Sequence, residues 1–162
     1  CAVTSTSAAS SSPSVRSRMM SSIKGSNTKP ELTVRRYLHA LGFRFRLGVR
    51  DLPGRPDIVL ARYNAIVLVH GCFWHGHPGC PFATRPATRP EFWSAKINGN
   101  MARDHRVNAA LRGAGWRVAI VWECALRKTA DNSLAELVAF LRSSSREIEI
   151  GMEGTHCALR NE

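Results

Sequence analysis

A chain of 162 residues with 44% hydrophobic content fits a single domain with a core of its own. The net charge of +11 points toward a polyanionic partner. No run approaches the roughly 18 consecutive apolar residues of a transmembrane helix, which excludes a helical membrane span.

Residues 1–14 are rich in Ser and Ala and lack the apolar stretch of a secretory signal. They are expected to be a disordered leader before a domain over residues 15–145. The start at Cys1 suggests trimming, and the cytoplasm is the expected location. Residues 16–50 carry nine Lys/Arg against one Glu, whereas residues 129–162 carry three Arg against six acids. That asymmetry suits a basic arm or face lying on phosphates.

Thr28-Lys29-Pro30-Glu31 reads as a capping box opening a helix with Leu32, Val34, Leu38 and Leu41 apolar and Gly42 as its stop. Phe43–Leu47 alternates strictly and predicts a half-buried strand. Leu52–Pro56 is a constrained turn. Asp57–Leu60 and Ala65–Val69 flank Arg62-Tyr63-Asn64 as a hairpin. Glu91 to Leu111 is helical in pattern, with Gly99 as a point of bending and Gly113 and Gly115 as stops. Trp116–Trp122 is a buried strand, Leu134–Leu141 an amphipathic helix, and residues 146–162 a weakly structured tail. The order helix, three strands, helix, strand predicts an α/β fold around a mixed sheet.

Between Val69 and Cys80, three histidines, two cysteines and two large aromatics leave one strand end together. Cys72, His77, Cys80 and the distant Cys124 form a Cys₃His set suited to tetrahedral zinc in a reducing compartment, although unligated thiols fit the spacing too. Cys1 and Cys157 have no evident partners and are read as free thiols. Asp57 enters its strand from a rigid turn, where a carboxylate can hold Mg²⁺ against a phosphate or simply close the turn. His75, two residues from His77, would face the opposite side in an extended loop and suits a general base; the competing reading, support of the zinc shell, suits His70 better than His75. Glu31 is either an outer carboxylate of that site or part of the helix cap. Phe73, Trp74 and Trp93 suit stacking on bases or packing around the loop.

In order, Asn27–Glu31, Leu52–Asp57, His70–His75, Glu91–Trp93, Asn100, Arg103-Asp104, Gly115–Val118 and Val121–Cys124 resemble the very short patch repair (Vsr) DNA mismatch endonucleases over about residues 15–128. The resemblance implies a restriction-endonuclease-like fold of the PD-(D/E)XK class with an added structural zinc. It implies Asp57 and the Val69 carbonyl as Mg²⁺ ligands, His75 as base, His70 as its assistant, and Glu31 and Asp104 as auxiliary groups. Cys72, His77, Cys80 and Cys124 match the zinc set. Phe73, Trp74 and Trp93 match a wedge beside the mismatch, with Arg55, Lys96 and Asn100 as further DNA contacts. The implied activity is Mg²⁺-dependent nicking 5′ of the thymine in a T:G mismatch left by deamination of 5-methylcytosine. A monomer is implied, with general mismatch-repair proteins as further partners. Two departures stand out: the strand after Asp57 lacks the class's acid-x-Lys, and His77 to Cys80 is one residue longer than the family pattern. The alternatives are a zinc-stabilised DNA-binding module without catalysis, and a restriction or junction nuclease of the same fold.

Overall fold

The structure, a computed structural model, describes residues 26–152. The expected leader, Cys1, Cys157 and the basic residues before position 26 lie outside them. Helix α1 spans Lys29–Ala40, strands β1 and β2 span Ile58–Leu60 and Ala65–His70, and helix α2 spans Pro90–Gly113. Strand β3 (Arg117–Trp122), helices α3 (Glu123–Lys128) and α4 (Ala130–Arg142), and strand β4 (Glu147–Ile150) follow. The sheet order is β1-β2-β3-β4. β1 and β2 are antiparallel, and the other two pairs are parallel. The result is the expected mixed α/β sheet.

Alternation along the central strands divides the core. Ala65, Val67 and Val69 of β2 with Ala119 and Val121 of β3 pack against Val34 and Leu38 of α1 and Leu134, Leu137 and Leu141 of α4. Ile66 and Leu68 with Val118 face the other way, onto Leu111 and Val107 of α2. His70 continues that second row at the end of β2 and is buried, so a polar ring occupies a place the pattern gives to a hydrophobe. The inward stripe of α2 runs Ile97, Met101, Asp104, Asn108, Leu111, a four-three spacing that places Asp104 on the sheet side of the helix.

Where the local reading and the structure differ, the cause is non-local. The strand expected over Phe43–Leu47 reduces to a single bridge, Arg46 to Val59, with both backbone bonds 2.9 Å. Its alternation instead reports Phe43 burying against Tyr63, ring centroids 5.1 Å apart. Residues 147–150, read as tail, form an edge strand on β3; Ile150 is buried and Glu149 accepts the Trp122 indole N–H at 2.7 Å. The Thr28 side chain does not cap the backbone: its Oγ1 donates to Glu31 Oε1 at 2.9 Å, and Glu31 Oε2 accepts the Asn27 N–H at 2.9 Å. α2 runs as one helix through Gly99.

Arg117 ties the layers together. Its guanidinium donates to the carbonyls of Phe140 (2.5 Å) and Leu141 (3.3 Å) at the end of α4, to Tyr63 O (3.3 Å) and, through Nε, to Ser145 O (2.7 Å). A cation at a helix C-terminus satisfies the last carbonyls and opposes the dipole. Arg117→Met is expected to destabilise the fold by about 2–3 kcal/mol, since several carbonyls lose a charged donor at once. Urea denaturation measures this; a loss below about 0.5 kcal/mol, the range of ordinary surface substitutions, would show that water replaces the guanidinium.

Candidate active and metal centres

The turn Leu52–Pro56 closes through Arg55 N–H to Leu52 O at 3.3 Å, with Gly54 and Arg55 both at positive φ. It delivers Asp57 one residue before β1 begins. There the carboxylate replaces the ladder: Asp57 Oδ2 accepts the Val69 N–H at 2.8 Å. N–H and C=O of one strand residue point the same way, so the Val69 carbonyl also faces the Asp57 side of β2. Burial pushes the Asp57 carboxyl up to about 6 despite the Val69 N–H, which lowers it. The Glu31 charge raises it further, while Arg35 and His75 oppose that rise. Glu31 is therefore a close electrostatic neighbour of Asp57, itself buried and held by Asn27, Thr28 and Arg35, the last at 2.9 Å.

The end of β2 presents His70, whose ring stacks on His75 at 4.0 Å between centroids and 4° between planes. Burial holds His70 down to about 3, with His75 lowering it further, so the ring is neutral near pH 7. His75 Nδ1 lies 2.5 Å from Asp104 Oδ2. Burial would raise the Asp104 carboxyl, but the His75 hydrogen bond and the neighbouring His75, His70 and Arg103 outweigh it and keep it low. An ionised carboxylate only accepts, so the proton of that bond sits on Nδ1 and the lone pair of a neutral His75 is on Nε2.

Cys72, His77, Cys80 and Cys124 form a second, buried group whose ligand atoms all lie within 4.8 Å of one another. Cys124 N–H reaches Cys72 Sγ at 3.3 Å, and Cys124 Sγ lies 3.4 Å from His77 Nδ1. The His77 ring stacks on Trp122 at 4.0 Å and 7°. Burial raises the Cys72 and Cys124 thiols, the opposite of what exposed reactive cysteines show. Such a set can hold a metal ion such as zinc, whose charge would draw off the thiol protons. Between His77 and Cys80 the chain turns through Gly79 at φ +67°. His75 lies with Asp104 and His77 with Cys124, but the segment between them is a turn and not the extended loop on which the spacing argument rests. Gly76 at φ +61° makes that turn so close to α2 that a Cβ would meet Met101 Sδ at 2.8 Å and Ile97 Cγ2 at 2.9 Å.

Phe73, Trp74 and Trp93 form a half-buried edge-to-face cluster with centroids 5.1, 5.4 and 6.1 Å apart. Asn100 Nδ2 donates to the Trp74 carbonyl at 2.9 Å, so its amide holds the aromatic loop on α2. Lys96 and Arg55 are exposed. The sequence reading missed Arg35, whose partner Glu31 lies one helical turn away (i, i+4), and Phe92, which is 53% exposed at the start of α2. Helical spacing could have found the first; the second lies inside the Glu91–Trp93 run that carries the resemblance, but nothing in its spacing gives it a role of its own.

A partly buried carboxyl raised to about 6 costs stability wherever the unfolded chain is ionised and the folded one resists ionisation. The penalty is absent below the unfolded value of 3.8, grows as pH rises to about 6 and is constant above that. Asp57→Asn, which keeps an acceptor for Val69, is expected to stabilise the Mg²⁺-free protein by about 2 kcal/mol at pH 7 and by nothing below pH 4. Thermal unfolding across pH checks this; equal stability of the two proteins at pH 7 would refute it.

The sequence profile described as DNA mismatch endonuclease Vsr matches residues 9–80. The type II nicking enzyme V.XorIIP of Xanthomonas oryzae pv. oryzae is 48% identical over 132 residues, covering 82% of this chain and 93% of the relative. The DNA mismatch endonuclease Vsr of Escherichia coli K12 is 41% identical over 145 residues, covering 87% and 92%. The type II nicking enzyme V.NmeAIP of Neisseria meningitidis is 42% identical over 117 residues, covering 72% and 83%. With identity this high across nearly the full length of two such relatives, the chain belongs to the DNA mismatch endonuclease Vsr family.

Proposed function

We propose that this protein is a Mg²⁺-dependent endonuclease that nicks duplex DNA on the 5′ side of the thymine in a T:G mismatch, starting very short patch repair of deaminated 5-methylcytosine. The observation that carries the reading is the carboxylate of Asp57 beside the His75–Asp104 pair, two functions a phosphodiester hydrolase needs in one place. Membership of the family and relatives named as nicking enzymes support the substrate class. The fold assigned to the reading is that of the PD-(D/E)XK nucleases, with imidazoles in place of acid-x-Lys.

The oxygen donors of Asp57 and the Val69 carbonyl suit a hard cation. Held there, Mg²⁺ would supply Lewis-acid polarisation of the scissile phosphate and would stabilise the leaving oxygen. His75 Nε2 takes the proton of the attacking water, and Asp104 holds the ring by Nδ1 and stabilises the imidazolium that results. His70, neutral and stacked on His75, fixes the plane of that ring. Glu31 offers a second acceptor beside Asp57 for water. The Cys₃His group binds structural zinc, clipping the 72–80 loop to α3. Phe73, Trp74 and Trp93 wedge into the step beside the mismatch, which opens more cheaply than a matched pair. Arg55, Lys96 and Asn100 lie along the DNA path.

Nicking of end-labelled T:G and matched duplexes with and without Mg²⁺ tests the reading. Asp57→Ala and His75→Ala are expected to lose at least 10²-fold in rate while retaining mismatch binding. Trp74→Ala and Trp93→Ala are expected to lose preference for T:G. Wild-type rates in Asp57→Ala would remove the metal site, and full preference in both tryptophan variants would make the rings packing only. DNA binding without any nicking would favour the non-catalytic zinc module.

Elemental analysis is expected to give one zinc per chain. Cys124→Ser should lower stability by several kcal/mol, because it opens the long-range clip and metal binding is coupled to folding. Zinc-free protein of full stability would refute the assignment.

A further inference from the structure

Phe92 is the most exposed large hydrophobic side chain among the described residues, at 53%. It extends the aromatic cluster outward, with its ring 5.3 Å from Trp93 and at 78° to it. The Arg89 guanidinium lies 5.7 Å from the centroid of the Phe92 ring. Arg89 is held at φ +53°, the left-handed region that a non-glycine residue occupies at a cost. Arg85 is anchored to the first turns of the same helix, donating to Ser94 Oγ at 3.1 Å. Glu91 is the one acid in this turn, outnumbered by Arg85, Arg89 and Lys96. An exposed π surface joined to guanidinium groups matches a nucleotide, whose base stacks and whose phosphate pairs with a cation.

We infer that Phe92 and Arg89 form a nucleotide subsite at the outer edge of the aromatic cluster, where Phe92 stacks on a base of the substrate duplex next to the opened step and Arg89 meets its phosphate. This rests on the wedge reading above and extends it by one nucleotide position. The core does not need the ring, since over half of it is in water, and a base would cover what the protein leaves open. The open step releases a base face that a matched duplex keeps stacked, so Phe92 serves the mismatched duplex more than the matched one.

Equilibrium binding of T:G and matched duplexes, at fixed salt and without Mg²⁺, separates the possibilities. Phe92→Ala should weaken T:G binding about tenfold, with a smaller effect on matched duplex and an unchanged Tm. Phe92→Trp should retain affinity, and Phe92→Leu should not, because it keeps apolar area but has no π face. Arg89→Gln should reduce the slope of log K against log salt by about one on both duplexes. Phe92→Ala with wild-type affinity overturns the inference, as does an equal loss on both duplexes with a fallen Tm. Trp93→Ala run in parallel tells the two readings apart. If it loses T:G preference while Phe92→Ala does not, the subsite is wrong and the wedge stands. A wild-type protein without T:G preference overturns both.

Discussion

The bond from the Val69 N–H to the Asp57 carboxylate is the constraint on which the site depends. β1 begins at Ile58, yet its side of β2 is continued by one more acceptor, supplied by a side chain instead of the backbone. The exchange places a carboxylate at a partly buried sheet edge, where burial raises its proton affinity. The rigid turn before it is pressed onto α2: a Cβ on Gly54 would lie 2.5 Å from Val107 Cγ1. Val107 is three residues from Asp104, so the contact that seats the turn of Asp57 also sets the depth of the helix carrying the partner of His75. Any larger residue at Gly54 would move both acids relative to each other.

The loop between His70 and Cys80 is divided by the same economy of space. His75 belongs to the carboxylate side and His77 to the cysteines, and Gly76 between them passes within a methyl group of α2. Trp122 links the halves: His77 stacks on it, while His70 meets it edge-on at 5.3 Å. Loosening the cysteine group would therefore be felt at the imidazole stack without either histidine being changed.

The parts of this arrangement visible in the sequence are those with local cause. Proline and apolar spacing mark α1; the hairpin follows from two apolar runs around Asn64, which adopts the left-handed conformation at φ 47°. The Cys/His spacing and its distant fourth cysteine were legible because ligand chemistry restricts residue type so strongly. β4 was not legible, because four residues of Glu-Ile-Glu-Ile become a strand only when β3 offers an edge. The strand over Phe43–Leu47 was overread for the converse reason: its alternation is real, but β1 is three residues long and gives it one bridge. The convergence of Glu31, Asp57 and Arg35 depends on how α1 lies on the sheet, and no local pattern carries that information.

On the proposed nuclease reading, the absence of an acid-x-Lys from the strand after Asp57 follows from the charges around that residue. A lysine in the strand would supply a cation and, when neutral, a base. On that reading the tasks are separated here. Arg35, a cation that does not lose its proton, comes from α1 and is tied to Glu31, so it lowers Asp57 without competing for a proton. Strand alternation leaves Val69 facing the apolar core and His70 facing α2, so a long cationic side chain at position 69 would be driven into the Val34–Leu38 layer. An imidazole at position 70 is short enough to be buried while neutral, and it stacks flat against His75. On that reading the histidines meet a steric condition as well as a chemical one: the proposed base comes from the loop after β2, because the sheet itself has no room for it.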